Sequence, residues 1–171
     1  MSEAPVVLAL DAAGLASSVV VATGETLLAA ERIDSAHGQA EHLMPLIEQA
    51  MRRAGLAAAD LDLIAATIGP GSFTGLRAGL AAARGIALAL DLPLFGITGF
   101  AAVAADLAVT AGGGGAALLV ALESRRADLY VQVFDARRRP CGAPLAMMPE
   151  RLAEAVAAAV GAAPLRVAGD A

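Results

Sequence analysis

A glycine-rich segment at residues 68–77, IGPGSFTGLR, has the residue types that hold an anion at the start of a helix. Glycine allows a sharp turn, serine can cap a helix, and the first N–H groups of a helix attract phosphate or carboxylate. The candidate anion contacts are Gly69, Gly71, Ser72, Thr74 and Arg77. The other interpretation is a strand-to-helix turn that binds nothing, and the sequence favours it slightly.

The standard nucleotide-binding motifs do not match this segment. A Walker A loop needs a lysine after its second glycine to reach the terminal phosphates. Here Leu76 follows Gly75, and all twelve cationic residues of the chain are arginine. A dinucleotide fingerprint needs a third glycine, where the chain has Thr74. Both motifs are therefore excluded, and the helix N-terminus is the remaining candidate for an anion.

Two other groups of polar residues could do chemistry. Asp11 ends the first apolar strand, where it could contact a phosphate or only shape a turn. His37, Glu41 and His42 could hold a metal, but histidines five residues apart do not share one face of a helix. We therefore predict no metal site and no catalytic residue in this chain.

The composition limits the classes of partner. The chain has 171 residues and a net charge of −5, so it is a poor candidate to bind a nucleic-acid backbone alone. Arg137–Arg139 is the densest cationic run and favours a solvated turn. A single cysteine, a start unlike a secretory signal and interrupted apolar stretches indicate a cytoplasmic protein that contacts no membrane.

The order of the predicted elements indicates an α/β fold. Strands are predicted at 6–10, 17–22, 26–33, 61–68 and 94–97, and helices at 39–54, 73–90 and 100–109. After a glycine tract at 112–115 we predict strands at 116–122 and 129–134, a helix at 150–160 and a last strand near 166. Pro45 lies inside the first helical pattern, so that helix could start as late as Met44. Strands that alternate with helices are typical of a parallel sheet with helices packed against it.

Four segments together resemble a known family: LALD at 8–11, AEHLMPLIEQAM at 40–51, DLDLIAATIGPGSFTGLRAGLAAARGIALALDLPLFGIT at 60–98 and LESRRADLYVQVF at 122–134. They resemble the bacterial TsaB (YeaZ) family. The resemblance implies actin/Hsp70/sugar-kinase-like (ribonuclease H-like) lobes, each a mixed β-sheet with helices on its faces. We expect a first lobe at 1–110 and an incomplete second lobe at 111–171, because family members usually continue past the Val-Ala-Gly-Asp stretch.

The resemblance also implies a function. TsaB proteins are non-catalytic accessory subunits that form a heterodimer with a TsaD-type catalytic subunit. They support transfer of a threonylcarbamoyl group to N6 of the adenosine beside the anticodon in tRNA. A TsaE-type ATPase belongs to the larger complex, in which ATP can bind. We expect this chain alone to hold no cofactor, to contact tRNA only indirectly and to form a homodimer. It has Ala12 and Ala13 where the family often has Thr-Ser.

The family's contact with its partner uses two helices, which correspond here to about 39–54 and 73–90. Both carry more apolar surface than one sheet face can cover, which favours a partner-binding role. The candidate contact residues are Leu43, Met44, Ile47, Met51, Leu76 and Leu80. The alternative is an ATP-binding small-molecule kinase or ATPase of the same fold, with Asp11 and residues 69–77 at the phosphates.

Overall fold

The protein is described here as a computed structural model covering residues 4–34, 39–110, 115–160 and 164–171. His37 and the first three glycines of the 112–115 tract lie outside the described residues. The chain divides after Ile97 into two compact units, and each is described by itself.

The first unit is a five-stranded mixed sheet with two helices. The strands are β1 (Val6–Asp11), β2 (Ala16–Thr23), β3 (Thr26–Asp34), β4 (Leu63–Thr67) and β5 (Leu94–Ile97), in the order β3-β2-β1-β4-β5. The antiparallel pairs are β1 with β2 and β2 with β3, whereas β4 runs parallel to β1 and β5 parallel to β4. The helices are α1 (Gln39–Ala54) and α2 (Phe73–Leu90), and a short 3-10 turn follows α1 at Ala58–Asp60.

The core of this unit lies between the sheet and both helices. Alternate side chains of the strands, such as Leu8, Val19 and Ile64, are almost fully buried with Leu43 of α1 and Ala83 of α2. Successive side chains of a strand point to opposite faces of the sheet, so every second residue is buried against the helices. Helix α1 packs on β2 and β3, α2 packs on β1 and β4, and the two helices contact each other.

Helix α1 starts and ends at different kinds of signal. It begins at Gln39 rather than near Met44, and Pro45 lies exposed within it, where water can satisfy the carbonyl that the proline leaves without a donor. At the other end Gly55 has φ 69°. Its N–H donates to the Arg52 carbonyl at 3.1 Å and the next N–H donates to the Met51 carbonyl at 3.2 Å, which is the Schellman arrangement. The predicted glycine stop is confirmed.

Helix α2 meets the sheet through its smallest residues. Its predicted N-cap is confirmed, because the Ser72 hydroxyl accepts the Gly75 N–H at 3.2 Å. The residues buried on its inner side are Gly75, Gly79, Ala83 and Ala87, spaced four apart. By length and composition α2 could cross a membrane, but in this fold its small-residue side is the one packed into the unit.

The second unit repeats the connectivity of the first. It contains α3 (Gly99–Thr110), β6 (Ala117–Glu123), β7 (Leu129–Phe134), β8 (Leu145–Met147), a 3-10 turn (Pro149–Arg151), α4 (Leu152–Val160) and β9 (Leu165–Gly169). The sheet order is β8-β7-β6-β9, with β6–β7 and β7–β8 antiparallel and β6–β9 parallel. The order and directions match β3-β2-β1-β4 of the first unit.

The boundary between the units differs from the expected one near residue 110. Phe100 and Ala104 of α3 are buried in the same cluster as Leu118, Val120 and Phe134 of the second sheet. The apolar side of α3 therefore covers β6 and β7, which places this helix in the second unit and moves the division to Ile97.

Candidate functional site

The glycine-rich segment lies beside the turn that follows β1. Both begin at the carboxyl ends of the parallel strands β1 and β4. The Ser72 N–H donates to the Ala13 carbonyl at 2.7 Å. A Cβ on Gly71 would lie 2.8 Å from both the carbonyl carbon and the Cβ of Ala13, too close for any side chain. Glycine at 71 is therefore required by the approach of two backbones, whether or not an anion binds there.

Asp11 shapes the turn between β1 and β2. Its Oδ1 accepts the Ala13 N–H at 2.9 Å, the pattern of an aspartate that stabilises a turn two residues on. This contact accounts for the residue without a phosphate. A phosphate contact for Asp11 stays a prediction.

The five predicted anion contacts fall into two places. Gly69, Gly71 and Ser72 lie together in the loop, buried or half-buried. Thr74 and Arg77 are exposed on α2, and the Arg77 guanidinium lies 3.8 Å from the centre of the Phe73 ring. The loop is thus held by Ser72 and Ala13, while Arg77 belongs to the outer side of the helix. Anion binding at this segment stays a prediction.

The six predicted partner contacts also divide. Leu43 and Ile47 are only 1% and 6% exposed and lie in the core of the first unit, so they hold α1 on the sheet and offer no contact surface. Met51 and Leu80 are half-buried and pack at the edge of that core, and Leu76 is also half-buried. Met44 is 46% exposed. Of the six predicted contacts, only Met44, Met51, Leu76 and Leu80 therefore have surface that a partner could reach.

The most exposed apolar residues of α2 were not among the predicted contacts. Leu88 is 85% exposed and Phe73 is 69% exposed. The small residues of α2 face the sheet, and Phe73 and Leu88 point away from it, whereas Leu80, Ile86 and Leu90 are half-buried against the core. We call the outward-facing residues the outer helix face: Met44, Pro45 and Glu48 of α1, and Phe73, Arg77, Ala81, Arg84, Gly85 and Leu88 of α2, all exposed.

In the second unit a compact charged turn joins β6 and β7. The Ser124 hydroxyl donates to Asp128 Oδ1 at 2.7 Å, and Arg126 donates from Nε and Nη2 to the two carboxylate oxygens at 3.1 Å each. The Ser124 hydrogen bond, followed by Arg126, lowers the pKa of Asp128 below its ordinary value. An open cavity of about 490 Å³ lies between this turn and Arg151.

The arginine run at 137–139 forms the turn after β7. Asp135 Oδ1 accepts the N–H groups of Arg137 and Arg139 at 2.8 and 2.9 Å, so the predicted turn is confirmed. Arg138 departs from the solvated role, because its Nη1 donates to the Ala116 carbonyl at 3.0 Å.

The candidate metal ligands of the sequence are His37, Glu41 and His42. Among the residues that the structure describes, no group of three or more His, Cys, Asp or Glu side chains could hold a metal ion. His37 lies outside those residues, so the absence of a metal site stays a prediction.

Comparison with known proteins gives the family. A family model described as "TsaD: tRNA N6-adenosine threonylcarbamoyltransferase" matches residues 33–161. An uncharacterized protein of Mycobacterium tuberculosis is 36% identical over 126 residues, which are 72% of this chain and 56% of that protein. The tRNA threonylcarbamoyladenosine biosynthesis protein TsaB of Escherichia coli is 30% identical over 125 residues, 72% of this chain and 52% of TsaB. The chain thus spans about half the length of these relatives.

Solved structures give the fold. YeaZ from Pseudomonas aeruginosa is 26% identical, with a TM-score of 0.77 over 86% of this chain and 70% of YeaZ. The ROK hexokinase of Thermus thermophilus, at 24% identity, has a TM-score of 0.50 over 80% of this chain and 49% of the hexokinase, a likeness of fold alone. The predicted fold class, with actin/Hsp70/sugar-kinase-like lobes, is confirmed. The chain belongs to the family that the threonylcarbamoyltransferase model describes, and within it to the TsaB (YeaZ) group.

Proposed function

We propose that this chain is a non-catalytic accessory subunit that binds a TsaD-type catalytic subunit through the outer helix face. In that complex it supports threonylcarbamoyl transfer to N6 of the adenosine beside the anticodon in tRNA. The names of its relatives support the pathway. The observation that supports the binding role is the exposure of Leu88, Phe73 and Met44, at 85, 69 and 46%, on two adjacent helices of one unit.

Exposed apolar side chains grouped on one surface indicate a protein-binding site. Ala81 and Gly85 lie among them on α2, and a Cβ at Gly85 would meet nothing within 4 Å. Such small residues let a partner helix come close. A standard interface buries about 1,600 Å² in total, and two helices can supply much of one side.

The rest of the proposal follows the family. The subunit would work in the cytoplasm, in a larger complex that includes a TsaE-type ATPase, and it would reach tRNA through the catalytic subunit. Without that subunit the outer helix face would pair with a second copy. ATP would bind to the complex rather than to this chain.

The rival is an ATP-binding small-molecule kinase or ATPase. Two groups that it would use at the phosphates already have protein partners, since Asp11 accepts the Ala13 N–H and the Ser72 N–H donates to Ala13. Calorimetric titration of the isolated chain with ATP and magnesium separates the two functions. Tight binding with turnover would favour the kinase and count against the accessory role.

The accessory role is tested by capture of the host's TsaD-type subunit on co-expression. We expect Leu88→Asp and Met44→Asp each to weaken binding by about 10-fold or more, because a buried charge replaces an apolar contact, while the melting temperature of the chain alone is unchanged. Leu27→Asp is the matched control, since Leu27 is 62% exposed on β3 and lies outside the outer helix face. Wild-type affinity for both helix variants would reject this surface.

A further inference from the structure

Two exposed arginines on α2 stand out by what surrounds them. Arg77 and Arg84 are seven residues apart on the outer helix face, which places their Cα atoms about 10.5 Å apart on one side of the helix. Within the described residues neither forms an ion pair, and Arg77 is engaged by the ring of Phe73.

The lack of an ion pair at Arg77 and Arg84 is unusual for the first unit. Residues 1–97 contain ten acidic residues and five arginines. Each of the other three arginines lies within ion-pair distance of a carboxylate: Arg32 with Asp34 at 2.8 Å, Arg52 with Glu48 at 3.8 Å and Arg53 with Glu31 at 2.7 Å. As far as residues 4–34 and 39–97 show, the two arginines of this acidic unit without an ion pair therefore lie on the same side of one helix.

The surface between these cations suits a helix. Ala81 lies between Arg77 and Arg84, and Gly85 follows with open space around it. Phe73 stacks on Arg77, which limits the freedom of that guanidinium and reduces the entropy lost when it binds a carboxylate. Arg77 and Arg84 thus present two positive groups, two helical turns apart, beside a surface of small side chains that a partner helix can approach closely.

We propose, resting on the function proposed above, that the contacting helix of the TsaD-type subunit carries two carboxylates seven residues apart that pair with Arg77 and Arg84. The carboxylates lie beside the small residues Ala81 and Gly85. This pairing gives the subunits their register, because a shift by one turn would leave one cation facing no carboxylate. A nucleic-acid partner is disfavoured by the acidic charge of the same unit.

The test is the affinity of the purified chain for the host's TsaD-type subunit at several salt concentrations. We expect Arg77→Gln with Arg84→Gln to weaken binding by about 10- to 100-fold and to flatten its salt dependence. The matched control is Arg32→Gln with Arg137→Gln, which removes the same charge from exposed residues outside the outer helix face. Reversal with Arg77→Glu and Arg84→Glu should abolish binding, and replacing the partner's two carboxylates by lysine should restore it.

The outcomes separate the two proposals. If the wild-type chain does not bind the subunit, both fall. If the wild type binds and the double glutamine variant binds equally at every salt concentration, only the pairing is wrong. A third result would be that the double glutamine variant still binds the subunit but no longer self-associates, and that Glu41→Gln with Glu48→Gln also abolishes self-association. The two arginines would then pair with carboxylates of a second copy of this chain, and the pairing with the TsaD-type subunit would be overturned. Loss of binding to the host's tRNA alone would overturn it equally.

Discussion

Gly71 is the position where the loop before α2 and the turn after β1 come closest. A methyl group there would lie 2.8 Å from the carbonyl carbon and 2.8 Å from the Cβ of Ala13, well inside the roughly 3.5–4.0 Å of normal carbon contacts. In Gly71→Ala the loop must move away, which breaks the 2.7 Å bond from the Ser72 N–H to the Ala13 carbonyl.

The cost has two parts. Losing a hydrogen bond whose donor stays shielded costs about 1–3 kcal/mol, and overpacking costs about 1–3 kcal/mol. The free energy of unfolding should therefore fall by about 2–6 kcal/mol. The melting midpoint should fall by on the order of 10 °C.

Thermal and urea unfolding followed by circular dichroism measure this change. The control is Gly85→Ala, because a Cβ at Gly85 meets nothing within 4 Å and alanine in a helix interior stabilises by about 0.5–1 kcal/mol relative to glycine. The reasoning is refuted if Gly71→Ala has the melting temperature and urea midpoint of the wild type, since the backbones at Gly71 and Ala13 would then not be held so close together.

Three further perturbations test other contacts. Glu31→Ala should lower the free energy of unfolding by about 1–3 kcal/mol in urea titrations, because the buried carboxylate accepts from Gln49 at 2.9 Å; an unchanged midpoint would contradict this. Asp128→Asn should be less stable than the wild type at pH 7. The pKa of Asp128 is lowered from 3.8 by the Ser124 hydrogen bond and by Arg126, so the wild type's advantage is lost as the pH falls below 3.8; a difference independent of pH would contradict it. Gly169→Ala should speed amide exchange in β6 and β9, because a Cβ would lie 2.7 Å from the Ala121 carbonyl carbon; unchanged protection would count against that contact.

Patterns within single elements were enough to predict most of the fold. The strands β1, β2 and β3 follow short apolar or β-rich runs separated by turn residues, and Ser72 and Gly55 mark helix ends with chemistry that acts over a few residues. The start of α1 was less certain, because Pro45 is tolerated on the exposed side of a helix that begins at Gln39. β8 has only three residues, too few to give a pattern.

The sequence was enough to predict which two helices carry the candidate surface, but not which of their side chains are exposed on it. α2 is apolar nearly all round, so the period of its sequence does not say which side meets the sheet. Packing decided this in favour of Gly75, Gly79 and Ala83, which left Phe73 and Leu88 outside. The boundary after Ile97 was also set by packing, because α3 covers the second sheet.

The two sides of α2 are under different evolutionary constraints. The row of glycine and alanine residues that packs on the sheet is constrained by stability, and the exposed side is constrained by binding. At Gly79 a Cβ would already be in van der Waals contact with the Ala12 Cβ at 3.5 Å, so a side chain larger than alanine would push the helix off the turn after β1 and is selected against by stability. Substitutions at Leu88 or Arg84 leave the fold alone and are selected only by what binds there. The helix can therefore change its binding specificity through mutation without losing stability.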